Sequence, residues 1–550
     1  MRLPTAKWRS AQDAAEHRET LVLGYQGTLI PDPDRSAMAT AGTDEVHRTP
    51  DLQLEPWLES ASRGLEGCVS TGHRECGGER IDTGAWTNAL RERLIGMMTQ
   101  VLAASPAETG EQVARRFPVL STLLQRAVAE WVEANAVFHQ RLHTDAPRLA
   151  EWLRYERLPS LASLTPAGSD LHDGAHTVMR LDFRDGRCIY YKPRPVTGEW
   201  LWDGLVRTVN GHSSLQLPSA CVLAGADGRY GWVASLPQHA QLHDWDKGSN
   251  EASRYWHAAG ATLCLAEHVR MTDLHMANVM ATGSGPALFD AESLGTPRAV
   301  LGREAMRGPE QPIATAIQDL LDTGLLPGPQ LAGRPDTSGL FGKAAPVPHL
   351  QIPHWSAGPE GGQRFEMVPA ALADHGNAPP CTSPVEVLSL VVSGYREAAT
   401  ALMRCRGSFV APGSAWLWTL EQEHAPRIVL RDTLTYSILL SRSLQPMLLQ
   451  RAQLRKTTIE SALQDIRSRA FPQAILRTEA RALLSLHIPR FSARPDSRTL
   501  ASNSGRALVP RFLSCSPAEA VLRKMGELSE DHLNEELIPG LLLTVFGRIS

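Results

Sequence analysis

Five side chains able to do chemistry fall close together in one stretch of the chain. Asp273, His275, Asn278, Asp290 and Glu292 lie in "MTDLHMANVMATGSGPALFDAESL", residues 271–294, on either side of a short apolar run that ends in "PALFD". Asp273 and Asn278 are five positions apart, and Asp290 follows twelve later. This set suits phosphoryl transfer from ATP. One carboxylate serves the attacking hydroxyl, while an amide oxygen and a second carboxylate hold Mg²⁺ on the phosphates. Protein kinases space their catalytic Asp and metal-binding Asn in the same way and carry a second metal-binding Asp on the next hairpin. Taken alone, Asp-x-His-x-x-Asn is also an ordinary capped loop, because Asp and Asn favour turns and helix starts.

The same chemistry requires a lysine on a strand of a preceding lobe, to pair with the nucleotide phosphates. Lys192 in "CIYYKPR" is such a residue, about eighty positions upstream of Asp273. The order of parts is then strand lysine, helix, Asp-Asn loop, strand and metal-binding Asp, which is the order in a kinase. No G-x-G-x-x-G stands near Lys192, and "GLFGK" at 339–343 has too few residues between its glycines for a Walker motif.

The elements that must position these groups are legible in outline. From Pro118 to Leu142, the residues Leu120, Leu124, Val128, Trp131, Phe138 and Leu142 recur at helical spacing and predict a long amphipathic helix. In "HTVMRLDFRDGRCIYYKPRP", residues 176–195, two β-prone runs flank Asp185-Gly186 and predict a hairpin. "GWVASLP" continues this strand-rich region. Tyr255, Ala259, Leu263 and Ala266 then mark one side of a helix that leads into the Asp273 loop. Residues 297–384 are rich in proline and glycine and read as an irregular lid or insertion. From "SPVEVLSLVVSGYREAATALMR" onward most of the chain reads as helical.

Composition sets the class. The chain has 550 residues, 43% hydrophobic and 21% charged, with a net charge of −4. This is ordinary for a globular protein and gives no basic excess for nucleic acid. The amino terminus has no apolar core of a secretory signal, and "LIPGLLLTVF" is too short to span a bilayer. The eight cysteines are dispersed, with no C-x-x-C pair and no H-E-x-x-H. They point to reduced core thiols, a cytoplasmic location and no zinc site.

Two segments together resemble a known family. "GSDLHDGAHTVMRLDFRDGRCIYYKPR" followed by "TDLHMANVMATGSGPALFDAESL" is similar to the dehydratase domain of class II lanthipeptide synthetases, the LanM family. "RIVLRDTLTY", residues 427–436, matches a later R-x-x-x-R-x-T-x-x-Y element. "FPVLSTLLQRAVAEWVEANAVFHQRLHTD" and "LLSLHIPRF" add to the likeness, which runs from about residue 115 to the end. The sequence departs from the family pattern at Ala277, where a glutamate is usual, and at Leu171 after the Asp of the first element.

The resemblance implies an α+β fold: a lipid-kinase-like, two-lobed catalytic core with helical N-terminal and C-terminal elaborations. It divides the chain into a mixed region at 1–115, a candidate for leader-peptide binding, and a dehydratase domain at 116–550. In that domain a strand-rich lobe at about 160–240 precedes a helical lobe at about 250–550. The implied activity uses ATP and Mg²⁺ to phosphorylate Ser and Thr of a ribosomal precursor peptide, then eliminates the phosphate to give dehydroalanine and dehydrobutyrine. Carried over by position, Lys192 pairs with nucleotide phosphates and Asp273 serves the hydroxyl. Asn278 and Asp290 hold magnesium, with Glu292 beside them as a further metal ligand. Asp170, His172 and His275 shape the site and serve elimination, and Arg427 and Thr433 grip the departing phosphate. The family continues into a zinc-dependent cyclase domain, so a separate cyclase is the expected partner. Three other readings compete: a peptide kinase without elimination, a non-catalytic kinase-like scaffold that binds the precursor, and a metal-dependent hydrolase using Asp273, His275 and Asp290, which leaves Lys192 without a role. Arg427 lies far along the chain, beyond the Pro/Gly-rich segment, so its loss is expected to remove no magnesium ligand.

Overall fold

Three long helices precede the main sheet: α1 (Asp51–Cys68), α2 (Gly84–Ala104) and α3 (Pro118–Trp152). The computed structural model describes residues 29–31, 51–69, 71–105, 110–167, 174–235, 250–300, 312–328, 335–343, 345–357, 363–372, 377–465 and 471–549. The stripe read from the sequence is the buried face of α3, with Leu120, Leu124, Val128, Trp131, Phe138 and Leu142 all inside. Pro118 opens that helix where a missing N–H leaves no bond unmade.

The sheet packed on these helices is antiparallel throughout. Its strands are β1 (Leu161–Pro166), β2 (Met179–Phe183), β3 (Cys188–Lys192), β4 (Val222–Ala224) and β5 (Gly231–Ala234), in spatial order β1-β2-β3-β5-β4. Asp185-Gly186 forms the β2–β3 turn, where Gly186 takes φ +87°. Met179, Leu181, Phe183, Ile189 and Tyr191 point into one core with Trp86, Trp131 and Phe138. The ring of Tyr191 lies 5.2 Å from both Phe138 and Trp232. Leu58 and Leu65 of α1 and Leu90 and Leu94 of α2 join the same core, so the described part of 51–115 packs on the sheet. Side chains alternate along a strand, so with Tyr191 in the aromatic core the next residue, Lys192, faces the other way.

A second core lies beyond that other face and is built from helices. It joins α4 (Thr197–Asn210), α5 (Asn250–His268) and later elements through Leu201, Leu205, Leu263, Val391, Tyr395 and Leu402. The sequence marks one apolar side on α5. In the structure every residue from Tyr255 to His268 except His257 is buried, so the helix is enclosed on all sides. After α5 come the Asp273 loop and a tight hairpin, β6 (Val279–Thr282) and β7 (Gly285–Leu288).

The Pro/Gly-rich stretch at 297–384 is more ordered than its composition suggests. Its described parts hold α6 (Pro312–Asp322) and a long hairpin, β8 (Pro346–Ala357) with β9 (Gln363–Leu372). Leu29–Pro31 pairs along the far side of β9, which leaves β8 at the sheet edge. An edge strand needs only one of its two rows of N–H groups, and this is why a strand with several prolines is tolerated there. The later elements include α7 (Pro384–Val410), α8 (Thr433–Ser443), α9 (Gln473–Leu484), a small sheet of β10 (Phe491–Ala493), β11 (Leu500–Ser502) and β12 (Ala507–Val509), and α10 (Pro517–Glu527). The fold class is α+β. No helix among the described residues is long and apolar enough to cross a membrane.

Helices α5 and α7 touch backbone to backbone. A Cβ on Gly394 would stand 1.7 Å from the carbonyl oxygen of His257, and one on Gly260 would stand 1.9 Å from that of Val391. Gly407, on the same helix α7, has nothing within 4 Å. Gly394→Ala is therefore expected to destabilise the protein by at least 1–3 kcal/mol, the order of cost of overpacking a core, whereas Gly407→Ala leaves it unchanged or slightly firmer. Thermal melts followed by circular dichroism compare the two, and equal melting points would show that the crossing is looser than described.

Candidate active site

The end of β3 and the start of α4 supply the first half of the site. Lys192 Nζ donates to Glu199 Oε1 at 2.8 Å and to the carbonyl oxygen of Phe289. Arg194, two residues on, meets both oxygens of Glu199, at 2.6 and 3.2 Å. The same guanidinium reaches Asp290 Oδ1 at 2.6 Å and Glu292 Oε2 at 2.9 Å. Burial alone would raise the Glu199 carboxyl, but Arg194 and Lys192 outweigh it and hold the group far below the usual carboxylate range. Burial also opposes the charge on Arg194, and the acids around it more than compensate.

The loop from Asp273 to Asn278 supplies the second half. Asp273 takes a left-handed φ of +61°, which Asp tolerates better than most residues. Asn278 Nδ2 donates to the Asp273 carbonyl at 2.9 Å and lies 3.2 Å from His275 Nε2. His275 Nδ1 accepts from the Ala277 N–H. The amide nitrogen of Asn278 is thus committed to the loop, and its Oδ1 has no partner among the described residues. The β6–β7 hairpin folds back so that Phe289 N–H donates to the Asn278 carbonyl at 2.9 Å, which brings Asp290 beside Asn278. Asp290 Oδ1 also accepts from the Glu292 N–H, and Oδ2 has no protein partner among the described residues. The stretch read as a lid braces this loop: Leu274 N–H donates to Thr323 O, and Met276 N–H to Thr337 O.

Arg427 belongs to the same cluster. Its Nη1 donates to Glu292 Oε1 at 2.7 Å and lies 3.8 Å from Asp273 Oδ2, and its N–H donates to the Glu292 carbonyl. Main-chain pairing holds Arg427 against Glu292 despite the 135 positions between them. Arg490 Nη2 is a third guanidinium nitrogen on Glu292, at 2.8 Å. Two further residues of "RIVLRDTLTY" turn to Glu479. Arg431 and Tyr436 both donate to Glu479 at 2.8 Å, Asp432 caps α8, and Thr433 is the first residue of that helix. Asp170 and His172 lie outside the described residues.

Comparison with protein families matches residues 117–494 to the family described as a domain of unknown function, DUF4135. The chain belongs to this family. Every charged residue of the cluster lies within the DUF4135 span. The chain is also similar to the lacticin 481/lactococcin biosynthesis protein LcnDR2 of Lactococcus lactis subsp. lactis, with 21% identity over 454 residues. The match covers 79% of this chain and 46% of that protein, so the chain spans about half the length of the relative.

Sequence reasoning on this DUF4135 chain missed Arg194, Glu199 and Arg490. Arg194 stood in plain view in "YKPR", and Glu199 is an acid in the first turn of the helix that follows, a position that favours acids without a partner. Only the fold shows that they meet. It missed His424 as well, a buried ring that ties α4 to the 291–295 turn. His424 Nε2 lies 2.7 Å from the Leu294 carbonyl, which can only accept, so Nε2 carries a proton, and Nδ1 lies 2.9 Å from the Thr197 hydroxyl. Burial pushes its pKa down to about 4. An unfolded histidine titrates near 6.5, so between about pH 6.5 and pH 4 the unfolded chain binds the extra proton and stability falls as pH falls. From pH 7 to pH 5 this one residue is expected to withdraw about 2 kcal/mol. Denaturant midpoints at both pH values, for the parent and for His424→Gln, check this; an equal pH sensitivity in both proteins would contradict it.

Proposed function

We propose that this chain is a lanthipeptide-type dehydratase that phosphorylates Ser and Thr of a ribosomal precursor peptide and then eliminates the phosphate. The observation that carries the reading is the buried Lys192–Glu199 pair, tied through Arg194 to Asp290 and so to the Asp273–Asn278 loop. A strand lysine paired to a helix glutamate, beside a metal-binding Asp, is the arrangement that kinases require for transfer. Similarity to a lacticin 481/lactococcin biosynthesis protein supports a role in modifying such peptides. On this reading the sheet with its helices and the helical core are the two lobes of a lipid-kinase-like catalytic body.

The residues present suit ATP and Mg²⁺. Among the described residues no three His, Cys, Asp or Glu side chains converge as a metal cage. Mg²⁺ does not ask for one: it is usually held by one or two protein oxygens plus substrate phosphates and water. Among the described residues, Asn278 Oδ1 and Asp290 Oδ2 are left without a partner and would hold it. Bound ATP supplies the phosphoryl group, and Mg²⁺ offsets the charge on its oxygens. Lys192 holds the nucleotide phosphates while Glu199 keeps it in place. Asp273 takes the proton of the Ser or Thr hydroxyl. Glu292, expected as a metal ligand, is assigned instead to the guanidinium groups that already occupy both its oxygens. For elimination a base removes the Cα proton of the phosphorylated residue, the Cβ–O bond breaks, and the phosphate leaves with the electron pair. Asp170, His172 and His275 are the candidates to shape that step. Arg427 and Thr433 hold the departing anion, for which fixed positive charge in a dry site is the main requirement.

Two variants test this reading by mass spectrometry of a co-expressed precursor. Asp290→Asn, which keeps the side chain's shape and is expected to be less stable but still folded by circular dichroism, is expected to give neither phosphorylated nor dehydrated peptide; normal modification would remove Asp290 from the site chemistry. Arg427→Ala is expected to accumulate phosphopeptide, at a rate several-fold below the parent because Asp273 also loses a neighbouring cation. Normal dehydration by that variant would contradict its role in elimination.

A further inference from the structure

A second buried ion pair ties the N-terminal helices to the segment that carries Arg490. Glu130 lies on α3, and Arg93 of α2 donates to its Oε2 at 3.2 Å. His487 Nε2 lies 3.1 Å from both oxygens of the same carboxylate, which can only accept, so Nε2 carries a proton. The three side chains are between 8% and 17% exposed. Burial alone would raise the Glu130 carboxyl, but His487 and Arg93 outweigh it and bring the group below its ordinary value. The chemistry proposed above uses none of these three residues.

Between His487 and Arg490 the chain has little freedom. Leu486 takes a left-handed φ of +58°, which a leucine adopts only where its surroundings enforce it. His487 N–H donates to the Ala482 carbonyl at 3.0 Å, which anchors it to the last turn of α9. His487, Ile488 and Pro489 are all buried, and the proline ring fixes its own φ. On the far side of Arg490, the Phe491 carbonyl accepts from Ile428 N–H at 2.9 Å. Arg490 Nη2 itself meets Glu292 Oε2 at 2.8 Å, an oxygen it shares with Arg194. Arg194 in turn holds Asp290.

We propose that His487 is a positioning residue for this site: its bond to Glu130 sets the course of residues 486–490, so that Arg490 reaches Glu292 and Arg194 keeps its hold on Asp290. That Asp290 serves Mg²⁺ on ATP rests on the function proposed above. The coupling from Glu130 to Glu292 rests on the geometry alone.

Two variants of the full chain test it. His487→Ala breaks the bond to Glu130, and His487→Gln restores an N–H donor on a side chain of similar reach. In crystal structures, Arg490 is expected to leave Glu292 in His487→Ala and to stay on it in His487→Gln. Titration calorimetry with ATP gives the second readout. In His487→Ala, ATP binding without Mg²⁺ is expected to be unchanged, because Lys192 and Glu199 are intact. The Mg²⁺ concentration that gives half of the strengthening is expected to rise at least threefold, and to return near the parent value in His487→Gln. A contact that serves stability alone would lower the melting temperature without separating these two quantities. Should His487→Ala not fold, Glu130→Gln, which keeps an accepting oxygen but no charge, is expected to move both readouts the same way by a smaller amount. Arg490 still on Glu292 in the variant that breaks the pair, no restoration by His487→Gln, or an unchanged Mg²⁺ requirement once Arg490 has moved overturns the role of His487. A parent chain that binds no ATP, with Arg490 displaced in the His487→Ala crystal, would sink the proposed function and leave the coupling standing.

Discussion

One buried guanidinium holds the site together. Arg194 ion-pairs with Glu199 on α4 and with Asp290 and Glu292 after the β6–β7 hairpin, so it joins the sheet edge, a helix and the hairpin exit at one point. The interaction has little slack. Three carboxylates this close would repel one another without the cation, and the cation would not survive burial without them. Loss of one member of such a buried group leaves uncompensated charge and costs about 3–5 kcal/mol. Lys192 depends on the same centre, because Glu199 Oε1 is shared between Lys192 and Arg194.

Close packing of the backbone behind the charges keeps that centre in register. A Cβ at Gly198 would stand 2.2 Å from the carbonyl oxygen of Ala291, so the first turn of α4 lies directly against the segment that carries Asp290 and Glu292. His424 joins the same two segments by hydrogen bonds. Behind the Asp273 loop, Arg270 and Lys524 pair with Asp319, and Lys524 also pairs with Glu267. Burial would raise the Asp319 carboxyl, and Lys524, Arg270 and Arg298 together bring it below its ordinary value. The acids of the site are thus set in a framework whose own charges are already balanced.

Much of this was legible in the sequence because it is periodic or local. The stripe on α3, the Asp185-Gly186 turn and the Asp-x-His-x-x-Asn loop each follow from residues within a few positions of one another. The unread parts are long-range. Glu199, Arg194 and Arg490 carry no pattern that distinguishes them from surface charges, and their meaning comes from partners that are ninety or more positions away or on another element. The hairpin of β8 and β9 was hidden by proline, which weakens a strand signal although an edge strand accommodates it. Arg427 was found by its motif, but its placement on Glu292 depends on pairing with Phe491 and Ser492, which no local pattern announces.

The central claim is that the Lys192–Glu199 pair and the Asp290 loop form one nucleotide site. The most direct measurement is binding of ATP to the full chain, with and without Mg²⁺, by titration calorimetry in the absence of peptide. The account predicts saturable binding that strengthens when Mg²⁺ is added and falls at least tenfold in Lys192→Met. No binding by the parent chain, or equal binding by Lys192→Met in Mg²⁺, would contradict it.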